Sequence, residues 1–89
     1  MLGIDDEGLS PSDRKILEVM ANKFSGGPVG LGTIAAALSE EEATIEEFNE
    51  PYLIQKGFIE RTPRGRCLTQ KAYEHLNIPV PKNLQEKLL

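Results

Sequence analysis

Three arginines fall within six residues of this sequence, in the run Arg61-Thr62-Pro63-Arg64-Gly65-Arg66. A guanidinium is permanently charged and offers a rigid planar fork of donors that matches phosphate oxygens. Three of them this close reinforce one another, and nucleic-acid backbone is the ligand such a cluster fits best. The competing account is that exposed strands carry arginine for solubility or to block edge pairing. The apolar pair Phe58-Ile59 before the run and Cys67-Leu68 after it favour phosphate contact, because a hairpin would project the charges beyond the domain surface.

Other residue types able to do chemistry are not arranged for it. Gly26-Gly27-Pro28-Val29-Gly30 is glycine-rich but lacks the Lys-Ser/Thr pair that contacts nucleotide and magnesium. His75, beside Tyr73 and Glu74, reads as a partly exposed surface histidine. Glu40, Glu41, Glu42, Glu46, Glu47 and Glu50 lie near helix starts, where the macrodipole favours negative charge. Capping and solvation account for them better than a cation site. The single cysteine, Cys67, permits neither an internal disulfide nor a thiolate metal site. A free-standing enzyme is therefore not expected, and no cofactor.

The elements that must position the arginines follow from local signals. Eighty-nine residues, 39% of them apolar, suit one small domain. Ser10-Pro11-Ser12-Asp13 predicts a helix start at Ser10, with a first helix over about 11–24 that buries Ile16, Leu17, Met20 and Phe24. Ser25-Gly26-Gly27-Pro28 ends it. Pro28-Val29-Gly30 can supply only a short extended piece, and a second helix runs from Leu31 to Leu38. Ser39-x-x-Glu42 and Thr44-x-x-Glu47 both match a capping box. Thr44 is the favoured start of the third helix, with Ile45, Phe48, Tyr52, Leu53 and Lys56 continuing its pattern. Pro51 should kink it or loosen one turn, and Gly57 should close it.

Phe58–Thr62 and Arg66–Leu68 read as strands joined by Pro63-Arg64-Gly65. Thr69 caps a short last helix, Gln70 to Leu76, and Asn83–Leu89 either forms a terminal helical turn that docks Leu84 and Leu88 or frays. The fold class is mainly α with a small β hairpin: a winged helix-turn-helix, with a three-helix core, a two-stranded wing and a short C-terminal helix. Residues 1–9 read as an acidic linker, 10–77 as the domain, and 78–89 as a tail.

The net charge of −4 would ordinarily oppose nucleic-acid binding, but it is unevenly distributed. Residues 1–50 hold eleven acids and three bases, a balance of −8, while residues 51–89 hold three acids and seven bases, a balance of +4. Phosphate responds to local potential within a Debye length, about 8 Å in physiological salt. The third helix carries Glu46, Glu47 and Glu50, which phosphates would repel, and no Lys or Arg before Lys56. The wing, rather than the helix that usually enters the major groove, should make the main contact, largely independent of sequence. The start Met1–Glu7 lacks the basic region and apolar run of a signal peptide, and no segment has the roughly 20 apolar residues of a membrane span. A cytoplasmic protein without membrane partners is expected.

Several motifs, in order and spacing, resemble one family. Gly8-Leu9 with Asp13-Arg14-Lys15, Gly26-Gly27-Pro28-Val29-Gly30-Leu31, Glu50-Pro51-Tyr52-Leu53-Ile54-Gln55 with Gly57-Phe58, and Arg61-Thr62-Pro63-Arg64-Gly65-Arg66 look like the C-terminal domain of the RuvB family of bacterial Holliday-junction branch-migration motors. The resemblance covers about residues 8–77. It implies a winged-helix domain appended to an AAA+ ATPase helicase that uses ATP and magnesium. It also implies hexameric rings on duplex DNA, work with the junction-binding protein RuvA, and roles in recombination and repair. Arg64 and Arg66, with Gly65 between them and Arg61 behind, would touch the DNA backbone. The ATPase motifs of such a motor have no counterpart in this sequence, and residues 1–9 would be the join to its lid region. Two other classes fit the residues alone: a winged-helix transcription regulator reading bases with the third helix, and a protein-interaction module using the acidic face.

Overall fold

The computed structural model describes residues 8–81. Helix α1 (Pro11–Lys23) begins where local chemistry requires. The Ser10 hydroxyl accepts from the Asp13 amide and the Asp13 carboxylate accepts from the Ser10 amide, both at 3.1 Å. This reciprocal cap, followed by Pro11, satisfies donors that the first helical turn leaves open. Ile16, Leu17 and Met20 are buried as expected, while Phe24 is only partly covered.

Helix α2 (Leu31–Leu38) buries Leu31, Ile34 and Ala35. Ser39 follows in the left-handed conformation (φ 54°), and its amide bonds the Ala35 and Ala36 carbonyls. It closes α2 and opens nothing. Thr44 does not cap a helix either: it sits inside one, with no side-chain capping bond. The third helix starts earlier, as α3 (Glu42–Thr44), passes through a π-helical turn (Ile45–Asn49) and continues as α4 (Glu50–Gln55). The Thr44 and Ile45 amides already reach the Glu41 carbonyl, at 3.1 and 3.3 Å, so the ladder is running before a Thr44 cap could act.

Pro51 accounts for the loosened turn. It has no N–H to return to the preceding turn, and the Glu50 amide bonds the Ile45 carbonyl five residues back. The wider turn also resets the helix faces. Ile45, Asn49, Glu50 and Leu53 are buried, whereas Phe48, read in sequence as part of the inward pattern, is 72% exposed. Gly57 closes the helix at φ 83°. Its amide bonds Ile54 O at 3.0 Å and the Phe58 amide bonds Leu53 O at 2.9 Å, the paired bonds of a Schellman end.

Strands β1 (Ile59–Thr62) and β2 (Gly65–Leu68) pair antiparallel, with Ile59 opposite Leu68 and Arg61 opposite Arg66. The connecting turn is Pro63-Arg64 alone, since Gly65 already pairs with Thr62. On its other side β2 meets Val29, which bridges Arg66 through backbone bonds of 3.0 and 2.8 Å. The short extended piece before α2 thus braces the wing. Helix α5 (Gln70–Leu76) is capped by Thr69 and buries Ala72 and Tyr73, with Leu76 partly covered.

The core gathers these inward faces with Phe58, Ile59 and Leu68 from the wing. It also takes Leu9, which is fully buried and therefore packs with the domain although it falls in the segment read as linker. Ile78 and Val80, beyond α5, pack partly against it. The docking expected of Leu84 and Leu88 lies outside the described residues. Among the described residues no helix is long and apolar enough to cross a membrane. Three helical segments followed by a hairpin make the winged-helix architecture read from the sequence.

Candidate nucleic-acid interface

The hairpin is tied at its tip by Thr62. Its hydroxyl donates to the Gly65 carbonyl at 2.8 Å and accepts from the Arg64 amide at 3.2 Å. This holds Arg64 at the corner of a two-residue turn, where the residue is exposed and its side chain has no hydrogen bond or ion pair to the described residues. Gly65 beside it has φ 137°, and a Cβ there would lie 2.6 Å from the Val29 carbonyl oxygen. Only glycine lets β2 approach Val29 this closely.

Arg61 and Arg66 are placed differently. Directly opposite across the strands, two like charges repel. Between them stands Glu50, 1% exposed, the first residue of α4. Its Oε1 accepts from Arg61 Nη2 at 2.8 Å and from Arg66 Nη2 at 3.2 Å, and its Oε2 accepts from Arg66 Nε. Burial pushes the Glu50 carboxyl up, but the hydrogen bonds and charges of Arg66 and Arg61 outweigh it and hold the group below its ordinary range. The Arg66 guanidinium is held above its ordinary value, chiefly by the hydrogen bond to Glu50. Arg66 keeps only 22% side-chain exposure, against 60% for Arg61.

All four expected residues, Arg61, Arg64, Gly65 and Arg66, therefore sit on one hairpin, but only Arg64 presents a guanidinium clear of acid partners among the described residues. Glu50 corrects the sequence reading. It is not a solvated helix acid facing phosphate but a buried counter-ion of the wing. No periodicity marks this role, because the π turn before Pro51 rotates Glu50 toward residues eleven and sixteen positions further on. The other acids of this region, Glu40, Glu41, Glu42, Glu46 and Glu47, are exposed, as solvation implies.

The remaining candidate groups lie apart from the wing tip. His75 is half-buried, with Nε2 3.3 Å from Arg14 Nη1 and its ring 5.3 Å from that of Phe58. The glycine-rich loop is not a phosphate cradle. The Gly26 and Gly27 amides bond Met20 O and Phe24 O at 2.8 and 2.9 Å, and the Tyr73 hydroxyl and Arg66 carbonyl fill the space beside their Cα atoms. The nucleotide and magnesium of a motor thus find no fitting site in this loop. Among the described residues no group of three or more His, Cys, Asp or Glu is placed to hold a metal ion.

Comparison with known proteins places the fold in a family. The model of the RuvB C-terminal winged helix domain matches residues 6–77. The Holliday junction branch migration complex subunit RuvB of Lactobacillus gasseri is 58% identical over 82 residues, which cover 92% of this chain but 24% of that protein. A solved structure of the Thermotoga maritima RuvB Holliday junction branch migration motor superposes with a TM-score of 0.88 at 56% identity, over 90% of this chain and 27% of that one. The chain thus spans about a quarter of the length of the relatives it matches. With a hairpin wing on a three-helix core and a match over most of its length, the chain belongs to the RuvB C-terminal winged helix domain family.

Proposed function

We propose that this domain grips the phosphate backbone of duplex DNA with its wing, without regard to sequence, as the C-terminal part of a Holliday-junction branch-migration helicase. The observation that carries the reading is Arg64, exposed at the tip of a braced hairpin and free of acid partners among the described residues. Arg61 and Arg66 stand behind it, with Gly65 letting β2 lie against Val29. The exposed Glu46 and Glu47 disfavour entry of the third helix into a groove lined by phosphates. A motor that moves along any sequence needs contacts it can release each cycle, and salt-sensitive phosphate contacts suit that better than base recognition.

In the parent assembly this domain would act within a ring of RuvB subunits on junction DNA, in partnership with RuvA. ATP and magnesium would serve the ATPase of the motor, not this domain. A ring multiplies individually weak contacts, so modest affinity of one domain is consistent with firm hold by the whole. The test is to replace Arg64 with Ala, alone and together with Arg66→Ala, and to titrate labelled random-sequence duplex at two salt concentrations. Arg64→Ala should reduce the slope of log affinity against log salt by about 0.9, the release expected for one phosphate. Duplex affinity of the assembled motor unchanged by the double substitution at low salt would reject the proposal. A strong preference for one duplex sequence would point instead to a base-reading regulator.

A further inference from the structure

The wing carries three arginines, yet two of them converge on one buried carboxylate. Glu50 is reached by three donors on its two oxygens and is shielded from water, so its charge is not screened from its partners. Geometrically it occupies Arg66 as a phosphate would, through Nε and Nη2 side by side, and takes one donor of Arg61 besides. We infer that Glu50 is a positioning residue of the wing, an internal anion that competes with DNA phosphate for Arg66 and Arg61, so that the three-arginine wing neutralises two phosphates rather than three. This rests on the DNA-binding reading above and adds to it a residue from the third helix that sets how firmly the wing holds.

Two features separate this from a purely structural staple. The carboxylate takes two of the five N–H donors of Arg66 and one of those of Arg61, which leaves the others directed away from it. Both guanidiniums are thereby oriented before DNA arrives. Arg64 has no such restraint, so the wing combines one free charge with a pair that is half neutralised. The arrangement lowers the number of counterions the wing releases and keeps its hold reversible.

The experiment compares the native chain with Glu50→Gln, Glu47→Gln and Arg64→Ala, titrating fluorescently labelled random-sequence duplex across a range of salt concentrations. Glu47 is an exposed acid on the same helix with no ion pair to a wing arginine, so its substitution controls for a mere change in net charge. Glu50→Gln should steepen the salt slope by about 0.9, which means an extra three- to fourfold loss of affinity from 50 to 200 mM salt. Glu47→Gln should leave the slope as it is. Equal responses of the two glutamine variants overturn the inference, as does a native slope in Glu50→Gln. If Arg64→Ala weakens binding while Glu50→Gln does nothing, only this inference falls; if neither substitution has an effect, the DNA-binding reading falls with it. Should Glu50→Gln fail to fold, the Arg66 Nε–Hε resonance of the native chain decides. It should shift when the chain is saturated with duplex, and a resonance that stays in place overturns the inference.

Discussion

Replacing Gly65 with Ala tests whether the wing is held by the backbone contact that the structure assigns to it. The new Cβ would stand 2.6, 2.7 and 3.0 Å from the O, C and N atoms of Val29, none of which can rotate away as a side chain would. Either β2 or the Val29 segment must move, and the two bonds between Val29 and Arg66, at 3.0 and 2.8 Å, are lost or stretched. Two such bonds are worth about 2 kcal/mol together. Holding a non-glycine residue at this positive φ adds about 1–3 kcal/mol. The expected loss is therefore about 3–5 kcal/mol, a large part of the stability of a small domain. At about 4–8 °C per kcal/mol for a chain of this length, the melting temperature should fall by at least about 12 °C. Thermal unfolding followed by far-UV circular dichroism measures it. Gly30→Ala is the control, because nothing lies within 4 Å of a Cβ there. Its φ is an ordinary −71°, and because it is the N-cap of α2, where Ala is poorer than Gly, the variant should lose no more than about 1 kcal/mol, a fall in melting temperature of at most about 8 °C. A Gly65→Ala chain that melts as close to native as that would refute the brace.

Two further outcomes follow from the core and the buried ion pair. Because Arg66 and Arg61 hold the Glu50 carboxyl below its ordinary range, its contribution to stability is fully present above the unfolded value of about 4.3 and is lost as pH falls through the lower folded value. Acid unfolding should accordingly remove less stability from Glu50→Gln than from the native chain below about pH 4, and equal losses would show that the pair contributes nothing there. Phe58→Ala should cost about 3–5 kcal/mol in urea unfolding, because Phe58 is fully buried. Phe48→Ala should change stability by no more than about 0.5 kcal/mol, because Phe48 is largely exposed, and comparable losses would contradict the face assignment of the π turn.

The features legible in the sequence are those whose causes are local. Ser10, Pro11 and Asp13 announce the start of α1 because cap and acceptor lie three residues apart. Gly57 announces the end of α4 because the left-handed position needs a residue without a Cβ. Thr69 caps α5 for the same local reason as Ser10. The arginine run with its Pro-x-Gly turn marks the wing, and the spacing of the motifs along the chain is that of the RuvB C-terminal winged helix domain family. Where two local signals competed, the reading failed. Ser39 and Thr44 both match a capping box, but Ser39 is used to end α2 and the ladder from Glu41 passes through Thr44.

From sequence alone, then, came the order of helices and hairpin, the family, and the hairpin that gathers the candidate arginines. Each depends on residues within a few positions of one another. Tertiary structure decided what those arginines are free to do. Pro51 widens the turn before it, Phe48 swings outward, and Glu50 turns inward to meet Arg61 and Arg66 across the domain. An ion pair between a helix and a strand eleven to sixteen residues later depends on the rotation of that helix, which a local pattern of residue types does not encode. The wing was therefore visible as three equal charges, and only packing distinguished the free Arg64 from the pair that shares a buried carboxylate.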